Sequence, residues 1–450
     1  MNKIKYFIFA ILLVPCIFMF AGCSNSQVHI VSVNKISETA ESTTYSVLYD
    51  NGTTDQFTLE NDGTESADIY ALALQYGYEG TFWDFVEEYL HTDNGNVEFA
   101  VNKALLSAVS VFSNFTTTVT GYRFTINGLE PYTYEEQYSG AGSGVIYTLD
   151  KEEGDAYIIT NYHVVYDANS NTENKISDDI KVYLYGMEND KSSITATYVG
   201  GSMMYDVAVL KVEDSDILKN SIAEPVEVAS SDDLVVGQKA LAVGNPEAMG
   251  LSATSGVVSV DSEYITMKAS DGVTSATFRV MRIDTAINGG NSGGGLYNDQ
   301  GRLIGIVNAK VVADGIDNIS YAIPSDVVLG VVGNILDNSK VLLFDIGATI
   351  NGENSRAVLD TQLNAVKICE DVTITEIQQD SVADKMGLEE GDVVKSIYID
   401  STTLIDRTYE LVDELLKVRS GDTISITIER DGQKMVKAYS VNSEDFNVVS

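Results

Sequence analysis

The chain has 450 residues, which gives room for two or three domains. It carries 66 acidic against 28 basic side chains, a formal net charge of -38, and this excludes nucleic acid as a partner, because phosphate binding needs basic patches. The same excess of carboxylates describes a solvated, self-repelling surface.

At the start of the chain, Lys3 and Lys5 precede an apolar run from Tyr6 to Phe20, closed by Ala21-Gly22-Cys23. A basic start followed by a short apolar core fits a secretory signal over residues 1–22. The rival reading is an uncleaved membrane anchor, for which the run is slightly short. "FAGC" resembles a bacterial lipoprotein processing site, with Phe20 a less usual residue in that box. The resemblance implies that Cys23 carries lipid and anchors the chain at the outer face of the bacterial cell membrane. Stable anchoring needs more than one acyl chain. Cys16 leaves with the signal, so Cys369 stands alone and no intramolecular disulfide is possible. Cys369 lies in the strand pattern "AVKICEDVTITEI", which predicts a small core residue.

Residues 23–97 read as a small acidic module and spacer, with thirteen Asp and Glu against one Lys between Ser24 and Val97. Tyr45, Val47 and Tyr49 alternate, Asn51-Gly52 makes a turn, and Phe57 and Leu59 return, which predicts a β-hairpin. "ADIYALALQYGYEGTFWDFVEEYL" predicts two short helices broken at Gly77 and Gly80. The combination resembles hairpin-plus-helix modules repeated in surface proteins of Gram-positive bacteria. It reads as a folded spacer or, less simply, as a ligand-binding or wall-spanning module. Asp50, Asp55 and Asp62 are too loosely spaced for a calcium loop. No His/Cys/Asp/Glu set has metal-ligand spacing, and no cofactor is expected. His29 and His91 lie in polar surroundings and read as surface residues.

Three later segments carry chemistry. "AYIITNYHVV" runs an apolar strand into a turn that delivers His163. "YDVAVLKV" opens an apolar strand with Asp206. "DTAINGGNSGGG" sets Ser292 in a bed of glycines, where tight turns bring main-chain N–H groups close to a ligand. Each alone is weak, since Gly/Asn/Ser clusters usually mark turns. The order His, Asp, Ser, each at the edge of a strand-like segment, is that of a chymotrypsin-type triad.

With "AVGNP" (Ala242 to Pro246) and "ISYAIPSDVV" (Ile319 to Val328), these segments resemble the HtrA/DegP-type serine proteases. The resemblance runs from about Ala100 to Ile335. It implies a mainly β fold, with a chymotrypsin-like double β-barrel protease domain over residues 98–338. Within it, His163 is expected as general base, Asp206 as its orienting partner and Ser292 as nucleophile. The N–H groups of Gly290 and Ser292 are expected to form the oxyanion hole. Gly289 and Gly295 stand where the family usually has prolines, which predicts a mobile nucleophile loop. Ala286 takes the place of the Asp that selects basic side chains, and Val307, Asn308 and Ala309 are expected beside the substrate backbone. Together they predict a small or medium aliphatic residue before the cut. After Pro324, Val327, Val328, Val331, Val332, Ile335 and Leu336 recur at helical spacing, and Asp337 to Ser339 reads as a linker.

Residues 339–445 resemble a PDZ domain, carried by "SVADKMGLEEGDVVKSIYI" and "DRTYELVDELLKVRSGDTISITIERDG". Such domains add an extended C-terminal peptide as a strand and hold its carboxylate on main-chain N–H groups. The matching loop is Asp345, Ile346, Gly347 and Ala348. Asp345 replaces the usual aromatic and sets a carboxylate beside the anion site. The expected protein is thus a tethered, extracytoplasmic serine endopeptidase for misfolded or regulatory proteins, and the resemblance implies a homotrimer. Two alternatives are a dedicated signalling protease controlled by its PDZ domain and a non-enzymatic surface scaffold. An intact triad speaks against the scaffold.

Overall fold

The structure, a computed structural model, describes residues 30–38, 42–49 and 51–60 and, apart from 127, 188–189, 309–318 and 362, residues 97–449; between 61 and 96 it describes only Tyr70, Leu74, Gly80 and Phe85. Cys23, His29, His91, Ala309 and nearly all of the two expected short helices lie outside these residues. The chain divides into two compact units, Met1–Asn94 and Gly95–Ser450.

In the first unit, β1 (Ile30–Glu38), β2 (Ser42–Tyr49) and β3 (Thr54–Glu60) form an antiparallel sheet in that order. The expected hairpin is β2–β3, with Tyr45 opposite Phe57 and Gly52 turning at φ +80°. Val47 and Tyr49 are buried. Sequence reading missed β1. Its pairing with β2 slips between Ile30 and Ser32 and again between Lys35 and Ser37. Two such irregularities destroy the period-2 alternation that marks a strand.

The second unit opens with α1 (Val97–Ser107). One closed barrel follows, built from β4 (Ala108–Thr125), β5 (Gly128–Asp150), β6 (Asp155–Thr160), β7 (Asp179–Leu184), β8 (Ile194–Ser202) and β9 (Val207–Val212), in the order β4-β5-β6-β9-β8-β7. The helical turns α2 (Tyr162–Val165) and α3 (Asp216–Lys219) sit on its connections. A second closed barrel comprises β10 (Lys239–Gly244), β11 (Ser252–Lys268), β12 (Ser275–Ile283), β13 (Gly295–Tyr297), β14 (Leu303–Asn308) and β15 (Ser320–Pro324), ordered β10-β11-β12-β15-β14-β13. The expected double barrel is present. Apolar residues pointing inward close each barrel, and one buried cluster joins the two. It holds Val145, Ile159 and Val209 from the first and Leu241, Leu303 and Ile306 from the second.

Helix α4 (Ser325–Asn338) lays Val327, Val328, Val331 and Ile335 into the same cluster. It runs through Asp337 and Asn338, which were expected in a linker, and Ser339 caps it at φ +58° with its N–H on the Ile335 carbonyl. Only Ser339 and Lys340 then separate α4 from β16 (Val341–Phe344). The rest is the PDZ-like sheet: β17 (Ala348–Asp360), β18 (Ala365–Ile377), β19 (Val393–Tyr398), β20 (Thr402–Leu404), β21 (Thr423–Arg430) and β22 (Gln433–Ser440). Strand β23 (Phe446–Val449) pairs with β16. Helices α5 (Val382–Met386) and α6 (Thr408–Lys417) cover this sheet.

Helix α6 also touches the protease half. Leu416 is 1% exposed and belongs to the core shared by the two barrels and α4. Gly330 of α4 makes room for it, since a Cβ there would lie 2.8 Å from Leu416 Cβ. Asn334 donates to the Leu416 carbonyl at 2.8 Å. Arg279 of β12 is buried against Asp413 and lies 3.6 Å from the Tyr409 ring centroid. Cys369 departs from expectation: it sits half-buried in β18 rather than in the core. The β17–β18 hairpin runs on past the part of β18 that pairs with β19, so Cys369 lies beyond the sheet's central region. Among the described residues, no helix is long and apolar enough to cross a membrane.

Candidate active site

His163 is the second residue of α2, directly after the end of β6. Asp206 immediately precedes β9 and takes a left-handed φ of +54°. Strands β6 and β9 are neighbours, with Thr160 opposite Ala208, so the barrel itself brings His163 and Asp206 together. His163 Nδ1 lies 2.7 Å from Asp206 Oδ2, and the His163 N–H donates to Asp206 Oδ1 at 3.0 Å. Asp206 thus grips both the ring and the main chain of the histidine. Two asparagines fix Asp206 in turn. Asn308 Nδ2 donates to Oδ2 at 2.9 Å, and Asn161 Nδ2 donates to the Asp206 carbonyl at 2.8 Å. Burial pushes the phenol of neighbouring Tyr162 up to about 12, so that ring stays neutral.

Ser292 is 6% exposed, on the turn between β12 and β13. Small residues let this turn meet the first barrel. A Cβ on Gly142 would lie 2.7 Å from Val164 and 3.2 Å from the Ser292 carbonyl oxygen. A Cβ on Gly293 would strike Thr160 Oγ1 at 2.3 Å. The nucleophile turn therefore packs on the residues that carry His163.

The turn is held on both flanks. On one, the Ser143 N–H donates to the Ser292 carbonyl at 2.8 Å, and Ser143 Oγ donates to the Gly290 carbonyl at 2.7 Å while accepting from the Asn245 N–H at 2.8 Å. On the other, the Gly293 N–H donates to the Val307 carbonyl at 3.1 Å and the Val307 N–H to the Gly294 carbonyl at 2.8 Å. Gly290 has φ +94°, and a Cβ there would lie 2.2 Å from the Asn245 carbonyl oxygen, so only glycine fits. The Gly289 carbonyl accepts from the Glu247 N–H at 2.8 Å, which fixes the peptide plane and turns the Gly290 N–H the opposite way.

Several sequence expectations change here. Gly295 is no loose loop residue: it opens β13 and pairs with Val243 and Ile306. Val307 does not offer its main chain to a substrate, because the nucleophile turn uses both its N–H and its carbonyl. The Asn308 side chain points to Asp206. Ala286 is exposed beside the turn, with its carbonyl accepting from the Thr254 hydroxyl at 2.9 Å. Ser143 and Asn161 were missed. Nothing local marks a serine whose partner is far along the chain.

At the PDZ loop, Asp345 Oδ1 accepts from the Gly347 N–H at 2.8 Å, and Gly347 has φ +69°. Ile346 is buried in the PDZ-like core, and Ala348 opens β17. One N–H of the expected anion site is thus already engaged by Asp345.

Residues 142–306 match the trypsin-like peptidase domain family, and residues 345–438 match the PDZ domain family. The chain is 30% identical to "Serine protease Do-like HtrA" of Lactococcus lactis subsp. cremoris (strain MG1363) over 368 residues, 76% of this chain and 83% of that protein. It belongs to the HtrA family of serine proteases. Its HtrA-type likeness extends to "Serine protease Do-like HtrA" of Bacillus subtilis (strain 168), at 33% identity over 323 residues, which cover 69% of this chain and 65% of that one. "Probable periplasmic serine protease do/HhoA-like" of Haemophilus influenzae is 31% identical over 318 residues, 70% of this chain and 61% of that protein. The solved "HtrA-type protease AlgW with tripeptide" shares 23% identity over 78% of this chain and 97% of that one, with a TM-score of 0.47, a superposition too loose to argue from. The HtrA-type chain is a serine endopeptidase with a trypsin-like domain followed by a PDZ domain.

Proposed function

We propose that this HtrA-type endopeptidase works through an acyl-enzyme formed on Ser292. Ser292 Oγ attacks the scissile carbonyl carbon as His163 Nε2 takes its proton. The C–N bond then breaks, and the imidazolium returns the proton to the leaving amine. Water repeats the sequence, deacylating Ser292 and releasing the acid. Asp206 holds the Nδ1–H and stabilises the imidazolium. The N–H groups of Gly290 and Ser292 receive the oxyanion. The observation that carries this reading is the double grip of Asp206 on His163, made where the nucleophile turn packs.

The substrates are unfolded or regulatory proteins outside the cell membrane, cut after small or medium aliphatic residues. Ala286 supports this preference, since it brings no charge to pair with Arg or Lys. Lipid on Cys23 tethers the chain, the assembly is a homotrimer, and the PDZ domain takes C-terminal peptides. The docking of α6 on the protease half favours a second reading, in which PDZ ligands set the activity.

The test uses the chain lacking residues 1–22 and reduced casein. Ser292→Ala should lower turnover by roughly a million-fold. Cleavage by that variant at a tenth of the wild-type rate defeats the assignment. A mass-spectrometric peptide library should show Val, Ala or Ile before the cut, and a dominant Arg or Lys overturns the specificity reading.

A further inference from the structure

Strand β5 pairs with β4 from Gly128 to Val145, but with β6 only from Val145 to Asp150. Among the described residues, its second edge carries no strand between Gly128 and Ser143. At the inner end of that edge, the Ser143 N–H reaches the Ser292 carbonyl. The register to β4 is unbroken over this stretch. Successive residues therefore point their main-chain groups to alternate sides. Ala141, Ser139, Gln137, Glu135 and Thr133 direct their N–H and C=O groups off the same edge as Ser143. Pro131, next in the series, has no N–H to give and ends the run. From Thr133 to Ser143 this rail is about 34 Å long.

The rail meets the nucleophile turn on the flank opposite β14. A polypeptide that crosses the nucleophile turn from the β14 flank leaves it toward β5. An unpaired edge that starts at the nucleophile is a template for strand addition. Its side chains set a pattern. Tyr132, Tyr134 and Tyr138 share one face, Tyr132 and Tyr134 stacked with centroids 5.8 Å apart and Tyr138 stacked on Phe115 at 5.6 Å. Thr133, Glu135 and Gln137 share the other.

We propose that the free edge of β5 is an exosite that takes the leaving-group half of an extended polypeptide substrate as an added β-strand. It prefers segments that alternate apolar residues, facing the tyrosines, with polar or basic ones, facing Glu135 and Gln137. This rests on the protease reading above. It accounts for selectivity toward unfolded chains, because a folded substrate has no free strand to lend.

The experiment compares two peptides with the same cleavage site. The short one ends three residues after the scissile bond. The long one continues for about ten residues of alternating Val and Lys. In wild type, kcat/KM for the long peptide should exceed that for the short one by about tenfold, through KM. Gln137→Pro removes one N–H from the free edge and spares the β4 ladder, and the pair Tyr132→Ser and Tyr134→Ser removes the aromatic face. Both should bring the ratio close to one with short-peptide turnover unchanged. Should Gln137→Pro also lose short-peptide turnover, the tyrosine variant decides. A wild-type ratio of one, or a ratio that survives the deciding variants, overturns the exosite. A change in molar mass by light scattering with the ratio intact assigns the edge to a second copy of the chain and overturns it equally. Short-peptide cleavage by Ser292→Ala at the wild-type rate sinks the protease reading instead.

Discussion

At the residue scale, Asp206 is the most constrained group of the site. Its carboxylate accepts from His163 twice and from Asn308 once, and its left-handed φ is held by β9 and by Asn161. Asp206→Asn should lower kcat by roughly 10⁴, because an amide stabilises the wrong imidazole tautomer. Asn308 acts through Asp206, as a positioning residue. A hydrogen bond to a charged group contributes about 1.5–3 kcal/mol, so Asn308→Ala should lower kcat roughly ten- to hundredfold and leave KM unchanged. A rise in KM with normal kcat would return Asn308 to the substrate-binding role first expected of it. The sequence points to the proposed triad because His163 and Asp206 adjoin strand ends and Ser292 lies in a glycine-rich turn, each in a recognisable run. It hid the role of Asn308, because the partner lies in the other barrel and "IVNA" reads only as the end of a strand.

At the element scale, the nucleophile turn shows what glycine counting reveals and what it does not. The glycines at 290 and 293 are demanded by a positive φ and by contacts that leave no room for a Cβ. Glycine at 289 and 295 leads to the expectation of a mobile loop, yet Gly295 opens β13 and Ser143 bonds to both Gly290 and Ser292. Backbone freedom in the unfolded chain says nothing about which carbonyls find donors in the folded one. Ser143→Ala removes a donor to the Gly290 carbonyl and an acceptor for the Asn245 N–H. If this clamp sets the oxyanion turn, kcat should fall roughly a hundredfold, as for loss of one oxyanion donor, with KM near wild type. Unchanged kcat in steady-state assays would reduce Ser143 to simple packing. At the PDZ loop, the doubt raised by Asp345 acquires a geometry, for its carboxylate already occupies the Gly347 N–H. Asp345→Ala should free that donor and tighten binding of C-terminal peptides, measured by fluorescence polarisation. Equal affinities would mean that the loop does not read the terminal carboxylate.

For the whole molecule, the sequence separated a protease-like from a PDZ-like half and expected a short linker, but it did not show how they join. Much of the junction belongs to α6, whose signature reads as PDZ alone, and Lys367, Arg407 and Arg419 add bonds to Asp232, Asp261 and Asp337. Arg279 and Asp413 are both 2% exposed, so removing one leaves the other charge buried without its partner. Arg279→Met should destabilise the second unit by about 3–5 kcal/mol, read by denaturant unfolding. Glu410, near this junction, adds a pH dependence. Burial pushes its carboxyl up to about 7, against hydrogen bonds from the N–H groups of Asp406 and Arg407, with the charges of Asp232 and Asp406 raising it further. A folded pKa above the unfolded value of about 4.3 means that the folded chain holds the proton more tightly. That stability is full below about pH 4 and is lost as pH rises through about 7. The melting temperature should therefore fall between about pH 4 and pH 7, and Glu410→Gln should reduce the slope, with the remainder due to Asp413, whose carboxyl is also pushed up by burial.

Helix α6 gives Leu411 and Leu415 to the PDZ-like core, joined by its C-cap Val418, and Tyr409, Asp413 and Leu416 to the protease side. One rod with two buried faces cannot melt with one half and survive with the other. In scanning calorimetry, residues 97–449 should give a single endotherm whose calorimetric and van't Hoff enthalpies agree. A PDZ fragment cut away at Ser339 should melt at a lower temperature than it does within the whole, because Leu416 would then face water.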